Sequence, residues 1–125
     1  MQKEFLEYNS KVLDHYRHPR NFGILKEANR TAQELNPLCG DEIKVYLKVR
    51  NGKIEDIRYE ARGCALSIAA ASVLSERMAN GEWRMEEIRK IEKSDIEEWL
   101  EVKVGKARGQ CIMLPLNTIK KAILI

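Results

Sequence analysis

Apolar positions along this chain follow two periods. Over residues 3 to 18, Phe5, Tyr8, Val12 and Tyr16 recur at helical spacing, and Leu6 and Leu13 widen the stripe, so the stretch predicts an amphipathic helix. Pro19 ends it, because a residue before proline avoids the helical region. Asn21 and Gly23 continue the turn, and His15 and His18 are placed to cap the last carbonyls. From residue 42 to 62 the period drops to two. Ile43, Val45, Leu47 and Val49 alternate with Lys44, Tyr46, Lys48 and Arg50, and Ile57, Tyr59 and Ala61 share one parity on the return. Asn51-Gly52 marks the hairpin turn. A two-residue loop sets Asp56 opposite Leu47 and Arg58 opposite Val45, on the apolar face. A three-residue loop, Arg50-Asn51-Gly52, pairs Val45 with Ile57 and Ile43 with Tyr59, and is the expected register because a one-residue slip swaps faces. Ile54 falls outside this pattern.

The second half reads as helical. Gly63-Cys64 opens a helix over 65–80 made largely of Ala and Ser, whose small side chains permit close approach of another element. Asn80-Gly81 is its C-cap signal. A short helix is expected over 84–91, and Ser94 with Glu97 forms a capping box for another ending at Leu100. Residues 101 to 110 read as a strand or connector ending at Gly109. The last helix is expected over 112–123, with Pro115 in its first turn and Cys111 as its N-cap. Residues 24 to 35 read as irregular chain or a short edge strand. The order of elements predicts an α+β fold, a small antiparallel β-sheet with helices packed on one face. At 125 residues, a single domain over 1–125 is expected.

Composition narrows the partners. Apolar residues make up 44% and charged residues 33%, the balance of a folded soluble chain. No apolar run approaches the roughly 18–20 residues that span a bilayer. Met1-Gln2-Lys3-Glu4 lacks the layout of a signal peptide, so a cytoplasmic location without membrane attachment is the default. The net charge of +3 comes from 22 basic and 19 acidic residues. The two signs are interleaved with no basic stripe, which excludes nucleic acid as the expected partner.

The candidate chemistry lies in three cysteines, Cys39, Cys64 and Cys111, an odd number that suits free thiols, metal ligands or catalytic groups better than a disulfide framework. Buried structural cysteine is the plain alternative. Asn36-Pro37-Leu38-Cys39-Gly40-Asp41 sets a thiol and a carboxylate two residues apart, on a loop stiffened by Pro37 and bent at Gly40. Cys64 and Cys111 are both expected at helix N-termini, where free N–H groups favour the thiolate. Three thiolates and one carboxylate make four donors, which suits a tetrahedral zinc site or an iron–sulfur cluster. The donors are single and far apart in sequence, unlike the paired knuckles of a zinc ribbon. A carboxylate in place of a fourth thiolate weakens the hold on a soft centre, as a site that is loaded and emptied requires. Asp41 as a simple turn cap and Arg108 as a solvated charge are the plain readings of those two residues.

These motifs resemble the iron–sulfur cluster assembly scaffolds of the IscU type and the N-terminal domain of NifU, over nearly the whole chain. Leu13-Asp14-His15-Tyr16-Arg17-His18-Pro19-Arg20-Asn21-Phe22-Gly23 looks like that family's opening signature. Asn36-Pro37-Leu38-Cys39-Gly40-Asp41, Gly63-Cys64-Ala65-Leu66-Ser67-Ile68-Ala69 and Gln110-Cys111 look like its three ligand motifs, in order. The resemblance implies that Cys39, Asp41, Cys64 and Cys111 hold a transient [2Fe–2S] cluster or a zinc ion. It implies that Cys111 accepts persulfide sulfur from a cysteine desulfurase. It also implies transfer of the cluster to apo-proteins, a scaffold rather than an enzyme, and is compatible with dimerisation around a cluster.

Two departures stand out. Gln110 occupies the place of the His that precedes the third cysteine in IscU-type members. The Leu-Pro-Pro-Val-Lys segment read by a dedicated Hsp70 chaperone is replaced by Glu101-Val102-Lys103-Val104-Gly105-Lys106. Arg108, three residues before Cys111, is similar to the Arg-x-x-Cys pattern of the SufU branch, whose members are zinc-bound sulfur acceptors. This chain lacks that branch's insertion between the second and third cysteines. The alternative expectation is therefore a SufU-like zinc-dependent sulfur carrier. A small structural zinc protein, unfolded by chelation, is a third class.

Overall fold

The computed structural model describes residues 9–37, 40–79 and 82–124. A first helix, α1 (Ser10–Arg17), leads to three strands, β1 (Arg30–Asn36), β2 (Asp41–Arg50) and β3 (Lys53–Arg62). Four helices follow: α2 (Ala65–Met78), α3 (Met85–Ile88), α4 (Lys93–Leu100) and α5 (Lys106–Ile123). The strands form an antiparallel meander in the order β1-β2-β3. Helices α2 and α5 pack on the sheet and on each other, and α1 packs on α2. The expected α+β class, with a small antiparallel sheet under helices, is the observed one. Among the described residues no helix is long and apolar enough to cross a membrane.

The hairpin register differs from the expected one. Arg50 pairs with Lys53 across a two-residue turn, and Asn51 and Gly52 both take positive φ, 54° and 76°, as such a turn requires. Val49 pairs with Ile54, and the ladder then shifts so that Lys48 pairs with Asp56, Leu47 with Ile57 and Val45 with Tyr59. One extra residue, Glu55, is therefore inserted between two inward-facing positions. This bulge resolves both difficulties of the sequence reading. It keeps Asp56 and Arg58 away from the apolar face without a longer loop, and it turns Ile54 inward, where it is fully buried. The predicted pairs of Val45 with Ile57 and Ile43 with Tyr59 do not form, and Ile43 faces Ala61.

Helix α1 also buries a different face from the expected one. Val12 and His15 face inward, whereas Tyr16 is 42% exposed. Phe5, Leu6 and Tyr8 lie outside the described residues. His15 is not a cap. The Ala/Ser surface of α2 lets α1 approach closely enough for His15 Nδ1 to reach Ser72 Oγ at 2.7 Å. The backbone N–H of Arg20 donates to the same hydroxyl at 2.9 Å. His15 Nε2 lies 3.9 Å from a Glu76 carboxylate oxygen, which can only accept, an arrangement that suits a neutral ring protonated on Nε2 with Ser72 donating to Nδ1. Burial is the main cause that lowers the His15 pKa, aided by Arg20 and opposed by Glu76.

The C-terminal half departs further. The capping box of α4 is Glu92 with Asp95, whose carboxylate accepts the Glu92 N–H at 2.8 Å; Glu97 instead accepts the Val104 N–H at 3.0 Å. The helix expected to begin after Gly109 begins at Lys106, with Gly105 as N-cap. Lys106, Ala107 and Arg108 are good helix formers. Gly109 does not break the helix but leaves room for Lys93, whose Cε would lie 3.0 Å from a Cβ at that position. Asn80-Gly81, read as a helix stop, lies outside the described residues.

Candidate metal centre

Strand pairing builds the site. Asp41 opens β2 opposite Asn36, the last residue of β1. Its neighbour Glu42 pairs with Arg62, which ends β3. Gly63 and Cys64 therefore emerge beside Asp41. Gly63 has φ +157°, and a Cβ there would lie 2.5 Å from Asp41 Oδ1, so only glycine lets the carboxylate occupy this place. Cys64 is the N-cap of α2, as expected.

Cys111 is not a helix N-cap. It is the sixth residue of α5, and Pro115 is the tenth, not part of the first turn. The dipole argument for Cys111 therefore fails, since that effect fades within the first turn. What brings Cys111 to the site is the packing of α5 against α2 and the sheet. Proline at 115 has no N–H to give to the Cys111 carbonyl four residues earlier. That carbonyl instead lies 3.1 Å from the Ser67 hydroxyl of α2.

The outcome is convergence. One ligand atom each from Asp41, Cys64 and Cys111 all lie within 4.8 Å of one another. A tetrahedral zinc ion with bonds of about 2.3 Å to sulfur sets its donors about 3.8 Å apart, so small side-chain adjustments close the set on one ion. Cys64 is half-buried, while Asp41 and Cys111 are 3% and 9% exposed. One half-buried thiol, one buried thiol and a buried carboxylate in one cluster form a mixed soft and hard donor set suited to zinc or iron. Cys39, the remaining candidate donor, lies outside the described residues.

Contacts around the donors hold the carboxylate in place. Cys64 N–H donates to Asp41 Oδ1 at 3.2 Å. Ser67 Oγ donates to Asp41 Oδ2 at 2.6 Å and lies 3.6 Å from Cys64 Sγ. Asp41 is thus far more than a turn cap. Sequence reasoning missed Ser67, which it counted only as a small residue on the α2 face. Its signal was the spacing from Cys64, which puts it in the first turn of the helix that Cys64 caps.

Comparison with known proteins follows the same direction. The profile of the NifU-like N terminal domain family matches residues 7–125. A protein named iron-sulfur cluster assembly scaffold protein IscU 1, from Archaeoglobus fulgidus, is 37% identical over 116 residues, 93% of this chain and 74% of that one. A protein named iron-sulfur cluster assembly scaffold protein IscU, from Haemophilus influenzae, is 38% identical over 122 residues, 94% of each chain. The crystal structure of the N-terminal part of a nitrogen-fixing NifU-like protein from Brucella abortus superposes with a TM-score of 0.82 at 25% identity, covering 94% of this chain and 92% of that one.

Proposed function

The chain belongs to the NifU-like N-terminal domain family, and from that premise we propose that it is a scaffold for iron–sulfur cluster assembly. In this reading it acts as a single domain over 1–125, builds a labile [2Fe–2S] cluster as cargo and passes it to apo-proteins. It is a carrier rather than an enzyme. Cys39, Asp41, Cys64 and Cys111 are the residues that hold the cargo. The observation that carries the proposal is the convergence of Asp41, Cys64 and Cys111 from a strand start, a helix cap and a helix interior. A hydrogen-bonded carboxylate among thiolates gives a weaker hold on a soft centre than a fourth thiolate, which suits cargo that must leave.

The sulfur source in this proposal is a cysteine desulfurase. The Cys111 thiolate attacks the outer sulfur of the desulfurase persulfide. A new S–S bond forms on Cys111, the old one breaks, and the desulfurase cysteine leaves as thiolate. Anaerobic reconstitution with ferrous iron and sulfide tests the scaffold reading. Absorption from thiolate-to-iron charge transfer is expected, and it weakens when Cys39, Cys64 or Cys111 is replaced by Ala. Unchanged spectra in all three variants rule the scaffold out. Mass spectrometry after incubation with desulfurase and cysteine locates the added sulfur, expected on Cys111.

A second reading, zinc held by the same residues until sulfur arrives, is favoured by Arg108 and Gln110 before Cys111. Metal analysis of protein purified without air, with and without Asp41→Ala, separates the two: zinc at one equivalent, lost in the variant, supports the carrier.

A further inference from the structure

The Ser67 hydroxyl has one proton and three acceptors around it. Asp41 Oδ2 lies at 2.6 Å, the Cys111 carbonyl at 3.1 Å and Cys64 Sγ at 3.6 Å. Ser67 is 4% exposed, so water cannot readily take its place. The Cys111 carbonyl reaches Ser67 because Pro115 brings no N–H to it from within α5. Ser67 thus touches all three elements that carry the described donors, and its shortest contact is with the one donor that is not a thiol. Asp41 is the first residue of β2, and its side chain is oriented by Ser67 on one oxygen and by the Cys64 N–H on the other. A carboxylate oxygen has two lone pairs, so accepting this hydrogen bond does not by itself stop Oδ2 from binding a metal.

We propose that Ser67 is a positioning residue for the metal centre: its hydroxyl aims the Asp41 carboxylate at the Cys64 and Cys111 thiols. This rests on the function proposed above and adds a residue to it. The hydroxyl is not a ligand and does not ionise. It acts by fixing Asp41 before the metal arrives, so the donor set closes without having to order a free carboxylate. When Asp41 turns toward a bound ion, the Ser67 proton has the Cys111 carbonyl as a second acceptor, so no polar group is stranded.

The test is the affinity of the apo-protein for Zn2+ alone, by competition with a chromophoric chelator. Ser67→Ala is expected to raise the apparent Kd about tenfold, the lower end of what loss of an outer-shell partner does. Because the effect runs through Asp41, the Asp41→Ala/Ser67→Ala pair should bind as Asp41→Ala does, within about twofold. Ser67→Thr, which keeps a hydroxyl, should stay within about threefold of the parent chain. Circular dichroism of each apo-variant confirms the fold. The inference is overturned if Ser67→Ala binds like the parent, if its loss adds in full to that of Asp41→Ala, or if Thr is no better than Ala. If the parent chain shows no Asp41-dependent Zn2+ binding at all, the site proposal itself falls, which is a separate outcome.

Discussion

Replacing Gly63 with Ala should strike the site and the fold together. The new Cβ would lie 2.5 Å from Asp41 Oδ1, 2.6 Å from its Cγ and 2.9 Å from its Cβ. The φ of +157° is itself poorly tolerated by an L side chain. That backbone strain costs about 1–3 kcal/mol. The carboxylate cannot yield freely, because Cys64 N–H and Ser67 Oγ hold it from two sides. Moving it forfeits at least one hydrogen bond to a charged group, about 1.5–3 kcal/mol. The expected loss is about 2.5–6 kcal/mol, a large share of the roughly 5–15 kcal/mol of a typical domain. Urea denaturation of the apo-protein measures it. The same substitution made on Asp41→Gly, where all three clashing atoms are gone, should cost only the strain part, about 1–3 kcal/mol. The difference is the coupling between the two residues. If Gly63→Ala costs the same in both backgrounds, or less than about 0.5 kcal/mol in the parent, the close approach of Asp41 does not explain the glycine.

Three further outcomes are expected. His15 is buried and neutral, so its pKa in the fold lies below its unfolded value near 6.5. Its contribution is then complete above that value and is lost as pH falls below it, because the unfolded chain binds the extra proton. Denaturation midpoints at pH 7.5 and 5.5 should fall further for the parent than for His15→Gln, and equal drops would refute the assignment. Tyr59 Oη is buried with no partner at hydrogen-bonding geometry among the described residues, and burial pushes its pKa up to about 12 against the opposing pull of the nearby Ser72 hydroxyl and Arg20. Tyr59→Phe should leave stability unchanged or raise it by about 1 kcal/mol, and a clear loss would reveal a partner. Ile54→Ala should cost about 2–4 kcal/mol in the same assay, and a loss under about 1 would contradict its place behind the bulge.

Several features were legible before the fold was known. Alternation in Ile43, Val45 and Leu47 gave the strand and its inner face, and the Ala/Ser run gave a helix that another could approach. Cys64 as helix cap followed from glycine just ahead of a helical run. What failed were positions decided by tertiary contact. Gly109 reads as a stop, yet its missing side chain accommodates Lys93 from another helix. Pro115 reads as a first-turn residue, yet it sits mid-helix, where the Cys111 carbonyl it cannot serve lies against a serine of another helix. The Glu55 bulge left its trace in Ile54, whose wrong parity was a symptom of the extra residue. Single-residue parity cannot distinguish a longer loop from a bulge, and packing selected the bulge. Asp41, Cys64 and Cys111 were chosen by residue type and motif, and the helix-dipole argument for a Cys111 thiolate fell with its place inside α5.

The way α1 sits on α2 has one more implication. Over its described residues it buries one aliphatic side chain, Val12, and a histidine that meets the Ser72 hydroxyl of α2, while its N-cap Asn9 donates to the Leu100 and Glu101 carbonyls at 3.1 and 2.6 Å. Much of what holds this element is a set of hydrogen bonds, whose groups water can satisfy when they part. The described part of this helix is therefore held by polar contacts at both its ends, to the end of α4 at one and to α2 at the other.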